Sequence, residues 1–355
     1  MKQNFWQKLA ENKKPFFALA PMADVTDIAT RQMLVKYGKP DVLYTEFVPC
    51  DGLMSEGRKT LIKNLRFFEN EHPIVAQFFG AKPENFFECA KLAKELGFDG
   101  LDINMGCPDK SVENQGAGAA LIKNPKLARK IIRAAKEGAG DMPVSVKTRI
   151  GFNKNEIETW LPELLAEKPA VITIHGRTKK ELSDVDAHWD VIARAVEIAK
   201  GSGVLIMGNG DVKNLEDGIQ KAKESGADGV MVGRGVFGNP WFFNPDIKDI
   251  SIEKKLHAMI EHARLFKREV MGIYPHTNNN FKNNFSNKNK NISGKNTFAK
   301  KHIGVGAGNF SVMKKHYKAY ASGFNGAKEL RIKLMETNNA KEAEKIVKEF
   351  LKNKE

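Results

Sequence analysis

The sequence predicts an α/β chain built as a (β/α)8 TIM barrel followed by a small C-terminal all-helical domain. Eight short apolar runs recur through the first two-thirds of the chain, and segments with helical apolar spacing lie between them. The composition changes near residue 245, where this alternation ends. We therefore expect a barrel domain over residues 1–245 and a helical domain over residues 246–355.

The eight predicted strands are rich in apolar and β-branched residues. Several are almost continuously apolar, which is typical of parallel strands covered on both faces. They cover residues 16–23, 42–48, 73–79, 100–107, 143–150, 170–176, 204–211 and 229–235. A doubly wound open sheet is the structural alternative, but eight successive strand–helix units favour closure into a barrel.

The predicted helices of the barrel follow these strands. Residues 83–97, 124–140 and 214–226 have helical apolar spacing, and each segment ends at a glycine, a frequent stop signal for helices. Beyond the barrel, helical patterns cover residues 251–272, 310–323 and 327–354. Together these last segments predict the small helical domain.

An unusual segment, residues 276–308, interrupts the helical domain. It holds nine asparagines and six lysines but no acidic residue. Its few large apolar side chains could not form a packed core, so the composition predicts a mobile basic loop.

The overall composition excludes several classes of protein. No run approaches the ~18 apolar residues of a membrane span, and the N-terminus has no apolar signal-peptide region. The three cysteines, Cys50, Cys89 and Cys107, are far apart, which argues against a cysteine-based metal site or a disulfide framework. We expect a cytoplasmic protein without a bound metal.

The positive charge is concentrated in the C-terminal part. Residues 246–355 hold 23 Lys and Arg against 11 Asp and Glu, a net charge of +12, whereas residues 1–245 carry a net charge of only +2. A basic appendage on a nearly neutral body favours a polyanionic partner, most simply a nucleic acid. A solvated lysine-rich surface would have the same composition, so charge alone leaves both interpretations open.

Polar residues stand at the C-terminal end of nearly every predicted strand, where the active sites of such barrels lie. Because a buried polar group costs free energy unless it is paired, a convergent set indicates a polar ligand. The set comprises Pro21-Met22-Ala23, Glu46, Gln77, Asn104, Cys107, Lys147, Arg149, His175, Arg177, Asn209-Gly210-Asp211 and Gly233-Arg234. The last two groups follow strands seven and eight, whose loops often bind a phosphate through backbone N–H groups.

Three of these side chains suit a flavin ring. A buried lysine keeps its proton only beside an anion, and a reduced flavin would place negative charge near Lys147. Gln77 can donate to and accept from the amide edge of the ring, and His175 can donate to it. A histidine at a barrel wall can also be purely structural, so the role of His175 stays open at this point.

The motifs "APMADVTD", "VAQFFG", "DINMGCPDKSV", "VKTRIGF", "ITIHGRT", "MGNGDV" and "GVMVGRG" resemble those of the tRNA-dihydrouridine synthases, most closely the bacterial B-type branch. The match runs in order from Phe17 to Trp241 and resumes at "FSVMKKHYKAYASGFNGAKELRIKLM", which is similar to the family's helical RNA-binding domain. The 276–308 segment is not expected from the family. Such ordered similarity over most of the chain is more specific than any single motif.

The resemblance implies an FMN-dependent oxidoreductase in which NADPH, or NADH, reduces the flavin. Hydride then passes from FMN N5 to C6 of a uridine in tRNA, and Cys107 protonates C5. The positions that match the family's FMN-binding residues are Pro21, Met22, Ala23, Gln77, Lys147, His175, Asn209, Gly210, Asp211, Gly233 and Arg234. Asn104 would bind the uracil, and Arg149 and Arg177 would meet RNA or the flavin phosphate. We expect a monomer.

Two other functions fit parts of the sequence. One is another FMN barrel acting on a small pyrimidine, such as a dihydroorotate dehydrogenase, but those enzymes lack a basic helical tail. The other is a non-catalytic tRNA-binding protein, which would not need Cys107, Lys147 and Gln77.

Overall fold

A computed structural model of the chain describes residues 3–12, 15–247, 249–272 and 309–353. The predicted basic loop at 276–308 lies outside these residues. In the described ranges, no helix is both long and apolar enough to cross a membrane.

The nine strands of the described ranges run parallel and close into a barrel, as predicted. Around the barrel they follow the order β1, β9, β8, β7, β6, β5, β4 and β2. The Leu19 N–H donates to the Val42 carbonyl at 3.0 Å and the Val42 N–H to the Phe17 carbonyl at 3.2 Å, which joins β1 to the chain entering β2. The strands are β1 Phe16–Leu19, β2 Leu43–Tyr44, β3 Val48–Pro49, β4 Ile74–Phe79, β5 Gly100–Met105, β6 Val144–Arg149, β7 Val171–His175, β8 Leu205–Asn209 and β9 Gly229–Val232.

The predicted second strand, 42–48, is divided in two. Tyr44 pairs with Val75 and Val48 pairs with Phe78, so this chain advances four residues while β4 advances three. The extra residue makes a bulge, which reorients the side chains between β2 and β3. Glu46 lies within this bulge.

The long helices of the barrel cover its outer face. The predicted segments 83–97, 124–140 and 214–226 are helices of nearly the expected lengths. The helices up to the end of the barrel are α1 Phe5–Asn12, α2 Ile28–Tyr37, α3 Cys50–Leu53, α4 Arg58–Leu61, α5 Pro83–Glu95, α6 Lys110–Glu113, α7 Pro125–Ala139, α8 Ile157–Leu165, α9 Trp189–Ala199 and α10 Leu215–Ser225.

The close packing of α5 against α7 depends on a glycine. A Cβ at Gly138 would lie 2.2 Å from the carbonyl oxygen of Phe87, so no other residue fits without moving the backbone. Proline at the first position of each helix has no N–H to leave unsatisfied there.

The C-terminal helices share one apolar core with α2. They are α11 Ile252–Leu265, extended by a π-helical turn at Phe266–Met271, α12 Met313–Tyr320, α13 Ala327–Glu336 and α14 Ala340–Lys352. Met259, Tyr317 and Leu334 pack in the same cluster as Met33 of α2 and Trp241. Thr30 of α2 also lies 3.2 Å from a ring nitrogen of His262. Helix α2, which follows the loop after β1, therefore packs directly against the C-terminal helices.

Candidate active site

The register of the parallel strands brings the predicted site residues to one level of the barrel. Asn104 of β5 lies opposite Lys147 of β6. Arg149 lies opposite His175, which in turn lies opposite Asn209. These residues occupy the C-terminal ends of β5 to β8, where the sequence predicted a site.

A buried amide network joins β4 to β5. The Gln77 Nε2 donates to Asp102 at 2.7 Å, and its Oε1 accepts from the Asn104 amide at 3.0 Å. The Ser145 hydroxyl donates to the second Asp102 oxygen at 2.5 Å. Burial raises the pKa of Asp102 to about 6, against the hydrogen bonds from Ser145 and Gln77. Asp102 was not predicted as a site residue, although a carboxylate inside the apolar run "GLDIN" was the signal for one.

The same amide shapes the turn that carries Cys107. The Asn104 Oδ1 accepts the backbone N–H groups of Gly106 at 3.1 Å and Cys107 at 2.9 Å. The Cys107 carbonyl accepts the N–H of Ala119 at 3.0 Å. Gly118 has φ +60°, and a Cβ there would lie 2.9 Å from that carbonyl, so the close return of the chain requires glycine.

The Cys107 side chain is a partly buried thiol at the barrel mouth. Burial raises its pKa, against the backbone N–H of Asp109. The group therefore keeps its proton at neutral pH, which suits a proton donor and not a nucleophile.

Lys147 extends toward the end of β8. Its ammonium lies 3.1 Å from Asn209 Oδ1, and the Asn209 amide nitrogen donates to the Met231 carbonyl at 2.8 Å. Burial, with the neighbouring charge of Arg149, lowers the pKa of Lys147 to about 8. An anion beside this ammonium would restore its normal affinity for protons.

His175 is held as a neutral imidazole. Burial lowers its pKa well below the usual value, and the charges of Lys147, Arg149, Arg177 and Arg234 lower it further. The Arg177 guanidinium lies 3.2 Å from Nε2. Because a guanidinium can only donate, Nε2 accepts and the single proton resides on Nδ1.

Two arginines share Asp211 beyond β8. Buried Arg177 donates to one oxygen, and exposed Arg234 donates to the other at 2.6 Å. Partial burial opposes the Asp211 charge, but the Ala187 N–H and Arg177 hold its pKa below the usual value. The backbone here is unusual, since Gly210 has φ +131° and Asp211 has φ +48°.

Arg149 is directed to backbone carbonyls. Its Nε donates to Gly106 at 2.9 Å, and its Nη1 donates to Thr178 at 2.9 Å and Leu182 at 3.2 Å. Arg177 similarly donates to the Val185 carbonyl at 2.5 Å. Both predicted RNA or phosphate ligands are therefore engaged with loops of the protein itself.

The ends of β1 and β9 are neighbours. Pro21, Met22 and Ala23 follow β1, and the Met22 N–H donates to the Thr26 hydroxyl at 2.9 Å. A Cβ built on Gly233 would lie 3.5 Å from Met22 Sδ, so this side chain lies against the β9 loop. These residues close the mouth on the side opposite β5.

An acidic group borders the mouth near β2. The Glu46 carboxylate accepts the Asp24 N–H at 2.6 Å. Burial and the neighbouring charge of Asp27 raise the pKa of Glu46 to about 8. Glu46 was among the polar residues predicted at strand ends, but no role was assigned to it.

Nowhere in the described ranges do three or more His, Cys, Asp or Glu form a cluster able to hold a metal ion.

Known proteins resemble this chain over nearly its whole length. The profile of the family described as Dihydrouridine synthase (Dus) matches residues 18–355. A protein named "Probable tRNA-dihydrouridine synthase" from Staphylococcus aureus (strain Mu50 / ATCC 700699) is 36% identical over 354 residues, covering 99% of this chain and 96% of its own. "Probable tRNA-dihydrouridine synthase 2" from Bacillus subtilis (strain 168) is 36% identical over 358 residues, covering 99% and 97%.

Among solved structures, morphinone reductase superposes with a TM-score of 0.47 at 12% identity, covering 64% of this chain and 84% of its own. The sequence relatives and the family profile, in contrast, span this chain almost end to end. They confirm the predicted family: the chain belongs to the dihydrouridine synthase family of oxidoreductases.

Proposed function

We propose that this protein is an FMN-dependent tRNA-dihydrouridine synthase that reduces the C5=C6 bond of uridines in tRNA, with NADPH or NADH as the reductant. Its family membership over residues 18–355 supports the reaction. The observation that carries the mechanism is a thiol, Cys107, kept protonated by burial at the barrel mouth next to Lys147 and Asn104.

The side chains present at the mouth fit the ring of FMN. Lys147 is a desolvated cation whose described contact is the amide oxygen of Asn209, so it has donors left for an anionic ligand. Beyond its bonds to Asp102 and Asn104, the Gln77 amide keeps one N–H and one lone pair, and neutral His175 adds a second group for the polar edge of a ring. FMN, when bound, supplies the hydride that the reduction requires.

The phosphate end of FMN would meet the loops after β8 and β9. Gly210 and Gly233 bring backbone N–H groups close to the mouth, and the guanidinium of Arg234 is exposed there. Asp211 orients that guanidinium, and Pro21, Met22 and Ala23 form the facing wall.

The chain's own acid–base work falls to Cys107. A proton donor must hold its proton at neutral pH and deliver it once negative charge develops on the base. The buried thiol meets the first condition. Lys147, on the strand beside Asn104, would stabilise the thiolate left after the transfer.

Asn104 has a double role in this proposal. Its oxygen holds the Cys107 turn and one of its N–H groups binds Gln77, so its second N–H is the group that can meet the uracil. Arg149 and Arg177 would hold the loops beside the bound uracil through the backbone carbonyls that they bind. Their remaining N–H groups would make any contact to RNA or to the flavin phosphate.

We propose that the protein is a cytoplasmic monomer and that its partner is tRNA. The basic helices past residue 246 would contact the RNA backbone. A uridine inside folded tRNA must leave its stack to reach the barrel mouth, which costs a few kcal/mol. Contacts between lysines and phosphates offset this cost. We also propose that residues 1–245 form the catalytic barrel domain and residues 246–355 the tRNA-binding helical domain.

The test is direct. Purified protein loaded with FMN is mixed with NADPH and unmodified tRNA, the RNA is digested, and mass spectrometry looks for uridine that has gained two hydrogens. Its appearance supports the proposal. If NADPH bleaches the flavin but no such uridine appears, the electrons go to another acceptor, and orotate and free pyrimidines would then be tried.

A further inference from the structure

The turn that carries Cys107 is fastened to its neighbours from within the barrel. The Arg149 guanidinium binds the carbonyl of Gly106, the residue before Cys107. The same guanidinium binds the carbonyls of Thr178 and Leu182 in the loop after β7. One side chain therefore joins the Cys107 turn to the β7 loop.

A second connection joins the segment after β5 to the loop after β7. Glu113 of α6, six residues after Cys107, forms an ion pair with Lys179 of the β7 loop, with 2.7 Å between Oε2 and Nζ. The two side chains are only 20% and 24% exposed. Lys179 holds the pKa of Glu113 below its usual value, against partial burial. Partial burial makes such a pair stronger than an exposed one.

Lys179, the partner of Glu113, lies in a loop that is hydrogen-bonded to the loop after β6. The backbone N–H groups of Lys179 and Lys180 donate to the carbonyls of Gly151 and Phe152, both at 2.9 Å. The Lys179 ammonium also lies 4.9 Å from the centre of the Phe152 ring. These contacts join the loops after β6 and β7, and Glu113 connects the Cys107 segment to them.

We propose that Glu113 and Lys179 are positioning residues that hold the Cys107 thiol at the depth from which it can protonate the substrate. This inference rests on the proposed function. Proton transfer needs hydrogen-bond distance, and a displacement of about 1 Å in a reacting group can cost ~100-fold in rate. Arg149 binds the residue before Cys107, and Asn104 and Ala119 bind the backbone of Cys107 itself. The Glu113–Lys179 ion pair adds the contact between α6 and the β7 loop, and its loss would let α6 and the end of the Cys107 turn move outward.

A direct contact between Lys179 and RNA is the competing explanation, and the charges separate the two. Lys179→Met would weaken tRNA binding if the ammonium met a phosphate, whereas Glu113→Gln would remove a repulsive charge and strengthen it. A positioning role predicts the same change from both variants: kcat for dihydrouridine formation falls about tenfold while KM for tRNA changes little.

Alkylation of Cys107 by iodoacetamide measures its position without any turnover. Cys50 and Cys89 are fully buried, so one adduct per chain, read by intact-protein mass, reports Cys107. The rate is followed against pH in the FMN-loaded full-length protein. We expect both variants to raise the alkaline plateau several-fold and to move the midpoint down toward that of a free thiol.

The matched control is Lys221→Met, which breaks the ion pair with Asp217 on α10, where the side chains are 20% and 23% exposed. It should leave the alkylation profile unchanged. The proposal is overturned if Glu113→Gln and Lys179→Met also match wild type in alkylation, or if their kcat values are unchanged. If alkylation responds as expected but wild type makes no dihydrouridine, the proposed function fails while the positioning of Cys107 stands.

Discussion

At the scale of single residues, burial shifts the pKa values of Cys107 and Lys147 more than direct ion pairing does. Burial raises the pKa of the Cys107 thiol and lowers that of the Lys147 ammonium, so each group is moved toward its neutral form. In the proposed function, binding of an anionic flavin would reverse the effect on Lys147 and leave the thiol protonated. Two groups with opposite chemistry can therefore work side by side at neutral pH.

Cys107→Ala tests the role of the thiol. We expect the variant to retain FMN and tRNA but to lose about 10²- to 10⁴-fold in turnover, the usual contribution of a general acid. Flavin absorbance and a tRNA gel shift report binding, and dihydrouridine formation reports turnover. Loss of flavin in proportion to activity would instead indicate a structural cysteine, and Cys89→Ala, at a fully buried position on α5, serves as the control for packing.

Lys147→Met tests the cofactor assignment. The variant keeps the length of the side chain and removes the charge, so FMN should bind about tenfold or more weakly, because a charged hydrogen bond is worth roughly 1.5–3 kcal/mol. Fluorescence titration of the apoprotein with FMN measures the change. Unchanged affinity, together with an unchanged reduction potential of bound flavin, would remove Lys147 from the proposed flavin site.

At the scale of elements, each of the eight predicted strand segments contains a barrel strand, and 42–48 covers β2 and the first residue of β3, because parallel strands covered on both faces need nearly continuous apolar runs. The bulge between β2 and β3 was not predictable, since one extra residue leaves the apolar pattern of 42–48 almost unchanged. That polar residues of different strands would lie at one level was also predictable, because parallel strands end at the same edge of the sheet. Contacts such as Glu113–Lys179 were not, because they join loops whose spacing in sequence carries no periodic signal.

The fully buried ion pair between α2 and the segment before β4 is a strong element-level constraint. Arg31 binds Glu71 at 2.5 Å and the carbonyls of Thr26 and Arg66 at 3.0 and 2.7 Å. Arg31→Met leaves the Glu71 charge buried and should cost about 3–5 kcal/mol in the free energy of unfolding. Urea denaturation measures it.

The control for that prediction is Lys36→Met, which removes an exposed partner of Glu261 on the same helix and should cost less than about 1 kcal/mol. Equal losses for Arg31→Met and Lys36→Met would show that the buried pair contributes no more than a surface pair. The double variant Arg31→Met/Glu71→Gln should recover part of the loss, because it leaves no unpaired charge.

At the scale of the whole molecule, a buried histidine pair lies where the C-terminal helices meet the barrel. The rings of His262 and His316 are 4.4 Å apart, with Thr30 and Tyr320 beside His262. Burial, with the neighbouring charge of Lys315, lowers the pKa of His316 to about 4, and burial next to His316 lowers that of His262. Both are neutral in the folded protein at pH 7.

This pair predicts acid sensitivity. Between pH 6.5 and 4 the unfolded histidines bind protons that the folded ones do not. The free energy of unfolding is therefore unaffected by these histidines above about pH 6.5 and decreases as the pH falls below that value. For His316 alone the loss from pH 7 to pH 5 is about 2 kcal/mol. Urea midpoints across this range measure it. The dependence should shrink in His316→Phe and persist in His257→Ala, which alters an exposed histidine of α11; the reverse result would place the acid-sensitive group elsewhere.

The charge distribution of the whole chain leads to the last prediction, on tRNA affinity. Each lysine that contacts a phosphate releases counterions, so log K falls linearly with log salt at a slope of roughly −0.7 to −0.9 per contact. Exposed Lys315 and Lys318 of α12 belong to the basic region, and Lys315→Gln/Lys318→Gln should reduce the slope by about one to two. Lys126→Gln/Lys130→Gln on α7 of the barrel is the matched control and should leave the slope unchanged. Fluorescence anisotropy with labelled tRNA measures both. Equal slopes for the two double variants would show that Lys315 and Lys318 do not contact tRNA phosphates, contrary to this prediction.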